Sequence, residues 1–262
     1  MNSSPANFRI CVLASGSSGN CIYVESPTTA LLIDAGISAR EFHRRMDAAG
    51  LDPAKVQAVC VTHEHTDHVS GLRALARKLD LELYANSDTA RAVRNGEGLG
   101  WNLFAAGSPF TIGDIELLAF PLPHDAYDPV GFILTHGDTR VGIATDLGMP
   151  TTVALDRLRG CHFVILEANH DVDLVRSSGR PWHLKQRILG RQGHLSNETA
   201  AELLADIAGD TLRDVLLAHL SSECNEPSRA LNVVRRHLAS RGLGHIQVHP
   251  THAHRPTPVF YC

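Results

Sequence analysis

The six residues His63-Glu64-His65-Thr66-Asp67-His68 follow a largely apolar run, residues 56–61, across a single threonine. Few folds accept that sequence. The run reads as a strand that must stop, turn and open a helix over residues 69–79. Three histidines and an aspartate are thereby gathered at a strand-to-helix junction, where they can point into one cleft. Such crowding is hard to explain as core packing, and imidazole nitrogen with carboxylate oxygen suits Zn²⁺ and similar divalent ions. Taken alone, the run serves one metal ion or two.

The same alternation of short apolar runs and helical stretches continues along all 262 residues. Residues 22–24, 30–33, 56–61 and 81–84 predict strands, rich in Val, Ile and Leu and stopped by turn residues. Helices are expected over 39–49, stopped by Gly50, then over 69–79 and 87–94. Two hairpins are expected, 110–112 with 115–121 and 131–135 with 140–144, turned at Gly113-Asp114 and Gly137-Asp138. A helix at 152–158, a strand at 163–166, helices at 182–189 and 196–208, a strand at 215–217, a helix at 227–240 and a strand at 246–248 complete the pattern. Strand clusters in both halves, each with its own helices, predict an α/β fold of two sheets packed face to face with helices outside. No repeat or Pro/Ser-rich linker divides the chain, so residues 1–262 read as one domain.

A hydrophobic fraction of 44% and a charged fraction of 20% fit a globular protein large enough to bury a core without disulfides or a structural metal. The cysteines (Cys11, Cys21, Cys60, Cys161, Cys224 and Cys262) are scattered without a C-x-x-C pair and read as reduced, structural and intracellular. The polar start from Met1 to Ile10 lacks the apolar core of a secretory signal, and no run approaches ~18 apolar residues. A cytoplasmic protein with no membrane partner is expected. The net charge of −4 provides no global basic field, so any nucleic acid must be met by a local patch.

Histidine is the unusual residue here, at 16 copies. Three further donors lie where an apolar strand stops: His124, Asp146 and His219. Donors at strand ends converge on one edge of a sheet. With the first cluster they make five histidines and two aspartates, enough for two divalent ions, Zn²⁺ or Mn²⁺, sharing one carboxylate.

In type and order these motifs resemble those of the metallo-β-lactamase superfamily, over essentially the whole chain from Phe8 to Tyr261. The resemblance implies a four-layer αβ/βα sandwich with a dinuclear site between the sheets. It assigns His63, His65 and His124 to the first metal and Asp67, His68 and His219 to the second, with Asp146 bridging. Asp34 matches the family's early aspartate, which orients a ligand from behind; a turn-forming aspartate before Gly36 is its plainer reading. Glu167 in Leu166-Glu167-Ala168-Asn169, and His194 in Gly193-His194-Leu195-Ser196, resemble the phosphodiesterase branch that includes tRNase Z. There the Glu–His pair serves the leaving oxygen, although Ser196 equally suits a helix cap. The expected catalytic residues are Asp67, Glu167 and His194.

More narrowly, Ala14-Ser15-Gly16-Ser17-Ser18-Gly19-Asn20, Glu167-Ala168-Asn169-His170-Asp171 and Pro181-Trp182-His183-Leu184-Lys185 resemble the YycJ/WalJ-like members, a bacterial family associated with metal-dependent DNA exonuclease activity. The Gly/Ser loop itself fits a flexible turn as well as a phosphate contact. The resemblance implies a phosphodiesterase, with DNA as the partner. Two ions about 3.5–4 Å apart can hold a hydroxide at neutral pH and neutralise phosphate oxygens, while His194 donates to the departing oxygen and Glu167 fixes its tautomer. The chain has no room for the large inserted domain of the β-CASP nucleases, and no long glycine-rich arm like that of tRNase Z. Rival readings are a small-substrate metallohydrolase (thioester, lactone or cyclic phosphodiester), an RNA nuclease, or a binding module with a structural metal. Structural zinc sites are usually closed four-ligand sets, which disfavours the last.

From Leu174 to His194 the chain carries Arg176, Arg180, Lys185, Arg187 and Arg191, no acid, and an aromatic Trp182. This stretch can grip a phosphate backbone and stack a terminal base; it fits a solvated helix face equally well. The histidines of the tail, His245, His249, His252 and His254, read as a strand edge and exposed loop, since the two-metal set is already complete.

Overall fold

The computed structural model describes residues 7–94 and 96–262. Of the start read as lacking a secretory signal, residues 1–6 therefore lie outside the described residues. β1 (Arg9–Ala14), β2 (Cys21–Glu25) and β3 (Ala30–Ile33) form an antiparallel meander. α1 (Ala39–Ala48) then carries the chain to β4 (Val56–Cys60), parallel to β3. The Ser38 hydroxyl caps α1 by accepting from the Glu41 N–H at 3.2 Å, and Gly50, at φ 66°, turns the chain away from its end. α2 (Thr66–Val69), α3 (Leu72–Leu79), β5 (Glu82–Ala85), α4 (Ser87–Ala92) and β6 (Trp101–Leu103) follow.

The second half begins with β7 (Pro109–Ile112), β8 (Ile115–Pro121), β9 (Val130–His136) and β10 (Thr139–Ala144), all antiparallel neighbours. α5 (Thr152–Leu158) leads to β11 (Phe163–Glu167). α6 (Val172–Ser177), α7 (Trp182–Leu189) and α8 (Asn197–Ile207) precede β12 (Asp214–Ala218), and α9 (Pro227–Ser240) precedes β13 (Gln247–Pro250). β14 (Phe260–Tyr261) returns to the first half and pairs with β1. Among the described residues the strands form two sheets of seven, β14-β1-β2-β3-β4-β5-β6 and β13-β12-β11-β10-β9-β8-β7.

Leu31, Ile33 and Cys60 of the first sheet pack into one apolar layer with Leu117, Phe132, Ile143 and Ile165 of the second. Outside the first sheet, Phe42 and Met46 of α1 with Leu72 and Leu75 of α3 cover Leu32 and Val59. Outside the second, α5, α8 and α9 lay Leu158, Leu204 and Val234 over Val164, Leu166 and Val215. Both faces of the inner strands are covered, which is why they read as nearly continuous apolar runs. The architecture is the expected αβ/βα sandwich.

The structure departs from the expected elements at five places. β1, β6, β14 and α6 were not anticipated, and the helix expected over 69–79 is two, α2 and α3. The break has a steric cause at Gly71. Its N–H donates to the Ala35 carbonyl at 2.8 Å, and a Cβ there would overlap the carbonyl oxygen of Ile37. Gly36 is equally confined, since a Cβ on it would overlap the carbonyl oxygen of Asp67. The turn after β3 thus packs backbone to backbone on the turn after β4. The Asn20 N–H donates to Asp67 O at 2.7 Å and the Ala35 N–H to His68 O at 2.8 Å.

Among the described residues all six cysteines are free, and no helix is long and apolar enough to cross a membrane.

Candidate metal centre

Every candidate metal ligand leaves the end of a strand, as do Asp34 and Glu167, while His194 lies in the loop between α7 and α8. β3 is followed by Asp34, β4 by His63, His65, Asp67 and His68, β8 by His124, β10 by Asp146 and β12 by His219, while Glu167 ends β11. Asp34 (φ 64°), Asp146 (φ 59°) and His219 (φ 53°) sit in the left-handed region. For residues with a Cβ this costs roughly 1–3 kcal/mol each and persists where surrounding structure enforces it, typically at functional sites.

These strand ends bring all seven expected ligands together. The donor atoms of His63, His65 and His124 lie within 4.8 Å of one another, as do those of Asp67, His68 and His219. Asp146 groups with His63 and His68 and, separately, with Glu167, His194 and His219, which places it between the two clusters. Its carboxylate lies 3.3 Å from His68 Nε2, 3.4 Å from His219 Nδ1 and 3.8 Å from His124 Nε2. Asp67 Oδ2 is 3.5 Å from both His68 Nε2 and His219 Nε2.

Four buried atoms here, His63 Nε2, His124 Nε2, His219 Nε2 and Asp146 Oδ2, have no hydrogen-bond partner among the described residues. Buried polar atoms are seldom left so, because each forfeits its hydration without compensation. Four of them in one cleft, all nitrogen or carboxylate oxygen, fit divalent cations as their missing partners.

Behind the donors a ring of hydrogen bonds fixes which atom faces the cleft. Asp34 Oδ2 accepts from His68 Nδ1 at 2.7 Å, while its Oδ1 accepts from the Thr62 N–H at 2.8 Å. His124 Nδ1 donates to the Gly193 carbonyl at 3.0 Å. Glu167 Oε1 accepts from His194 Nδ1 at 2.8 Å and from His219 Nδ1 at 2.9 Å, and its Oε2 accepts from the backbone N–H of Leu147 and Leu195. Glu167 therefore orients a ligand as well as His194, a double role the sequence did not indicate.

Burial opposes charge on His68 and His219, but the carboxylates outweigh it. Asp34 and Asp146 hold His68 well above its ordinary value, and Asp146, Asp67 and Glu167 push His219 up to about 10. Burial likewise opposes charge on Glu167, yet His194 and His219 pull it down to about 2. The same contest, settled by His219 and His68, holds Asp146 well below the carboxylate range. His194 is raised because Glu167 overrides burial. His63 and His124 are lowered, by burial and by neighbouring imidazoles. The upward shifts of His68 and His219 answer a carboxylate field that a bound cation would balance instead.

Three supporting residues were not read from the sequence as site residues. Ser15 Oγ accepts from the His219 N–H at 2.7 Å, Asn20 Nδ2 donates to Asp67 Oδ2 at 3.2 Å, and Asn169 Nδ2 donates to His219 O at 2.7 Å. Two of them belong to the Gly/Ser loop, whose buried ends brace the ligands. His170 is buried but joins no ligand group, and neither do the tail histidines among the described residues.

The basic stretch spans α6 and α7 and is largely tied up. Arg180 pairs with Glu223 at 2.9 Å, Arg187 with Asp125, and Arg176 with Asp173 at 3.8 Å. Lys185 donates to the Arg176 carbonyl at 2.6 Å, and Arg191 lies against Met149. Trp182 is 67% exposed.

Residues 29–219 match the Beta-lactamase superfamily domain. The chain belongs to the metallo-β-lactamase superfamily. This superfamily member is 36% identical over 260 residues to the exodeoxyribonuclease YycJ of Bacillus anthracis, covering 95% of this chain and 97% of the relative. It is also 36% identical over 265 residues to the exodeoxyribonuclease WalJ of Streptococcus pneumoniae serotype 2 strain D39, covering 98% of each. The metallo-β-lactamase fold protein YhfI of Bacillus subtilis superposes with a TM-score of 0.72 at 15% identity, over 95% of this chain and 98% of that one. The resemblance seen in the motif order is thus borne out, down to the YycJ/WalJ group.

Proposed function

We propose that this chain is a cytoplasmic, metal-dependent phosphodiesterase that removes nucleotides from the ends of DNA, the activity for which both relatives are named. The observation that carries this reading is His194, held on Glu167 at the partly open rim of a cleft lined by four partnerless donor atoms. In this reading His63, His65 and His124 would hold one divalent ion, Zn²⁺ or Mn²⁺, and Asp67, His68 and His219 the other, with Asp146 shared. Such ions lower the pKa of water and neutralise charge on a phosphate.

The chain's own residues supply the proton chemistry. Glu167 accepts the Nδ1–H of His194 and favours a second proton on that ring, at Nε2. That proton passes to the oxygen leaving phosphorus, so the departing strand does not leave as an alkoxide. Asp67 and Asn20 hold one another at the rim, and Asp34 keeps His68 from turning. No serine or cysteine nucleophile is required. The exposed Trp182 of α7 would meet the polymer outside the cleft, near Arg187, whose charge is matched by the Asp125 next to His124.

The test is a substrate panel with Mn²⁺- or Zn²⁺-loaded protein: end-labelled single- and double-stranded DNA, RNA, bis-p-nitrophenyl phosphate and a thioester. Shortening of DNA with release of nucleotides supports the reading. Turnover of the thioester or of RNA with DNA left intact overturns it.

A further inference from the structure

A cavity of about 960 Å³ opens beside the metal centre, bounded by α3, the end of α4 and the loop between β8 and β9. Its size is at the upper end of the roughly 300–1,000 Å³ of clefts that enclose an organic ligand. His65 and Glu64 form part of its wall, so the cavity is continuous with the candidate ligands. Arg77, Arg94 and Tyr127 line it as well. Arg77 and Arg94 are exposed, and no carboxylate among the described residues pairs with either. In that they differ from Arg180 and Arg187, whose charges are already matched. The one acid in the wall, Glu64, accepts the Tyr127 N–H on its Oε1 at 3.1 Å, while its buried Oε2 has no hydrogen-bond partner among the described residues. Two guanidinium groups thus face a single carboxylate there. The bond from the Tyr127 N–H to Glu64 holds the loop while the Tyr127 ring stays 77% exposed.

We propose that this cavity binds a single polynucleotide strand leading into the metal centre, with Arg77 and Arg94 on backbone phosphates and an unpaired base stacked on Tyr127. The proposal rests on the phosphodiesterase reading. Guanidinium groups without acidic partners suit phosphate oxygens, which they can bind through two parallel N–H donors. A wet aromatic ring offers a face to any base, but only a base out of its duplex presents its own face in return. A small uncharged substrate would use neither the arginines nor the ring. The loop between β8 and β9 divides two surfaces, its Asp125 reaching Arg187 of α7 and its Tyr127 lining the cavity. The incoming strand and the remaining polymer thus have separate places to lie.

The experiment is fluorescence anisotropy of a fluorescein-labelled, nuclease-resistant phosphorothioate oligodeoxynucleotide, titrated with metal-loaded protein at several salt concentrations. Replacing Arg77 and Arg94 together by Gln should weaken binding and flatten the slope of log K against log salt by about 1.4, from ~0.7 per phosphate contact on a single strand. The corresponding double Lys variant, which keeps the charges, should retain the slope. Tyr127→Ala should weaken binding roughly 5- to 150-fold without changing the slope. Metal content and thermal midpoint of each variant should match the parent protein. An unchanged slope in the Gln pair overturns the proposal, as does a duplex probe bound as tightly as the single strand and weakened equally by Tyr127→Ala. If the parent protein degrades DNA while the variants bind like it, only this inference fails. If the parent neither binds nor degrades DNA, the phosphodiesterase reading fails with it.

Discussion

Glu167 is completely buried and has both carboxylate oxygens in use, two imidazole N–H groups on one and two backbone N–H groups on the other. An amide cannot replace it, because its NH₂ would face donors. Glu167→Gln should therefore lower metal affinity about 10- to 100-fold through His219, as well as slowing turnover. His194→Ala should separate the two effects. It should keep the full metal content yet lose roughly 10²–10⁴-fold in rate on DNA, and less on a phosphodiester with a good leaving group. Metal analysis beside kinetics distinguishes the two variants. His170 gives a pH signature of its own. Burial lowers its pKa from 6.5 to about 4, although Glu167 opposes that shift. Between those values the unfolded chain holds a proton that the folded chain does not, so this contribution is complete above 6.5 and fades as pH falls toward 4. Denaturant titrations across that window should show stability rising with pH by at most about 1.4 kcal/mol per unit from this group, and the slope should shrink in His170→Gln.

At the scale of elements, the candidate metal centre depends on two turns pressed together without side chains between them. Gly36→Ala should force the turn after β3 away from Asp67 and His68, at a cost of about 1–3 kcal/mol or more. Thermal midpoint and metal content should fall together, whereas a stability loss with metal content unchanged would mean the contact is merely structural. The strands ending in ligands were legible because an apolar run stopped on a donor, as at Val56–Cys60 before His63 and Asp214–Ala218 before His219. The short elements were not. β6 and β14 have three and two residues, too few for any period, and are held by backbone pairing, β6 to β5 and β14 to β1 at the other end of the chain. The split between α2 and α3 arises from Ile37 and Ala35, which no helical pattern around Gly71 reveals. Likewise Arg176–Arg191 showed their charges in the sequence but not Asp125 and Glu223, which neutralise two of them from distant segments.

Over the whole molecule the candidate ligands divide between the sheets. The first sheet contributes His63, His65, Asp67 and His68, and the second contributes His124, Asp146 and His219. Bound ions would therefore add a tie between two halves already joined by the apolar layer, by β14 on β1 and by the His219 N–H on Ser15 Oγ. Metal-loaded protein should hold two ions per chain and melt higher than chelated protein. The gain should grow with free metal, reaching about 2.7 kcal/mol at a hundred times the dissociation constant. One ion or fewer after reconstitution, or a midpoint indifferent to chelator, would contradict the shared site. If the site consumes DNA from its ends, a substrate without ends must survive it. Mn²⁺-loaded protein is given linear and covalently closed circular single strands of the same sequence, with Asp146→Ala as the control. Nucleotides released from the linear strand, an intact circle and no product with Asp146→Ala are the predicted result. A circle cut as fast as the linear strand, or a linear strand left whole, would contradict it.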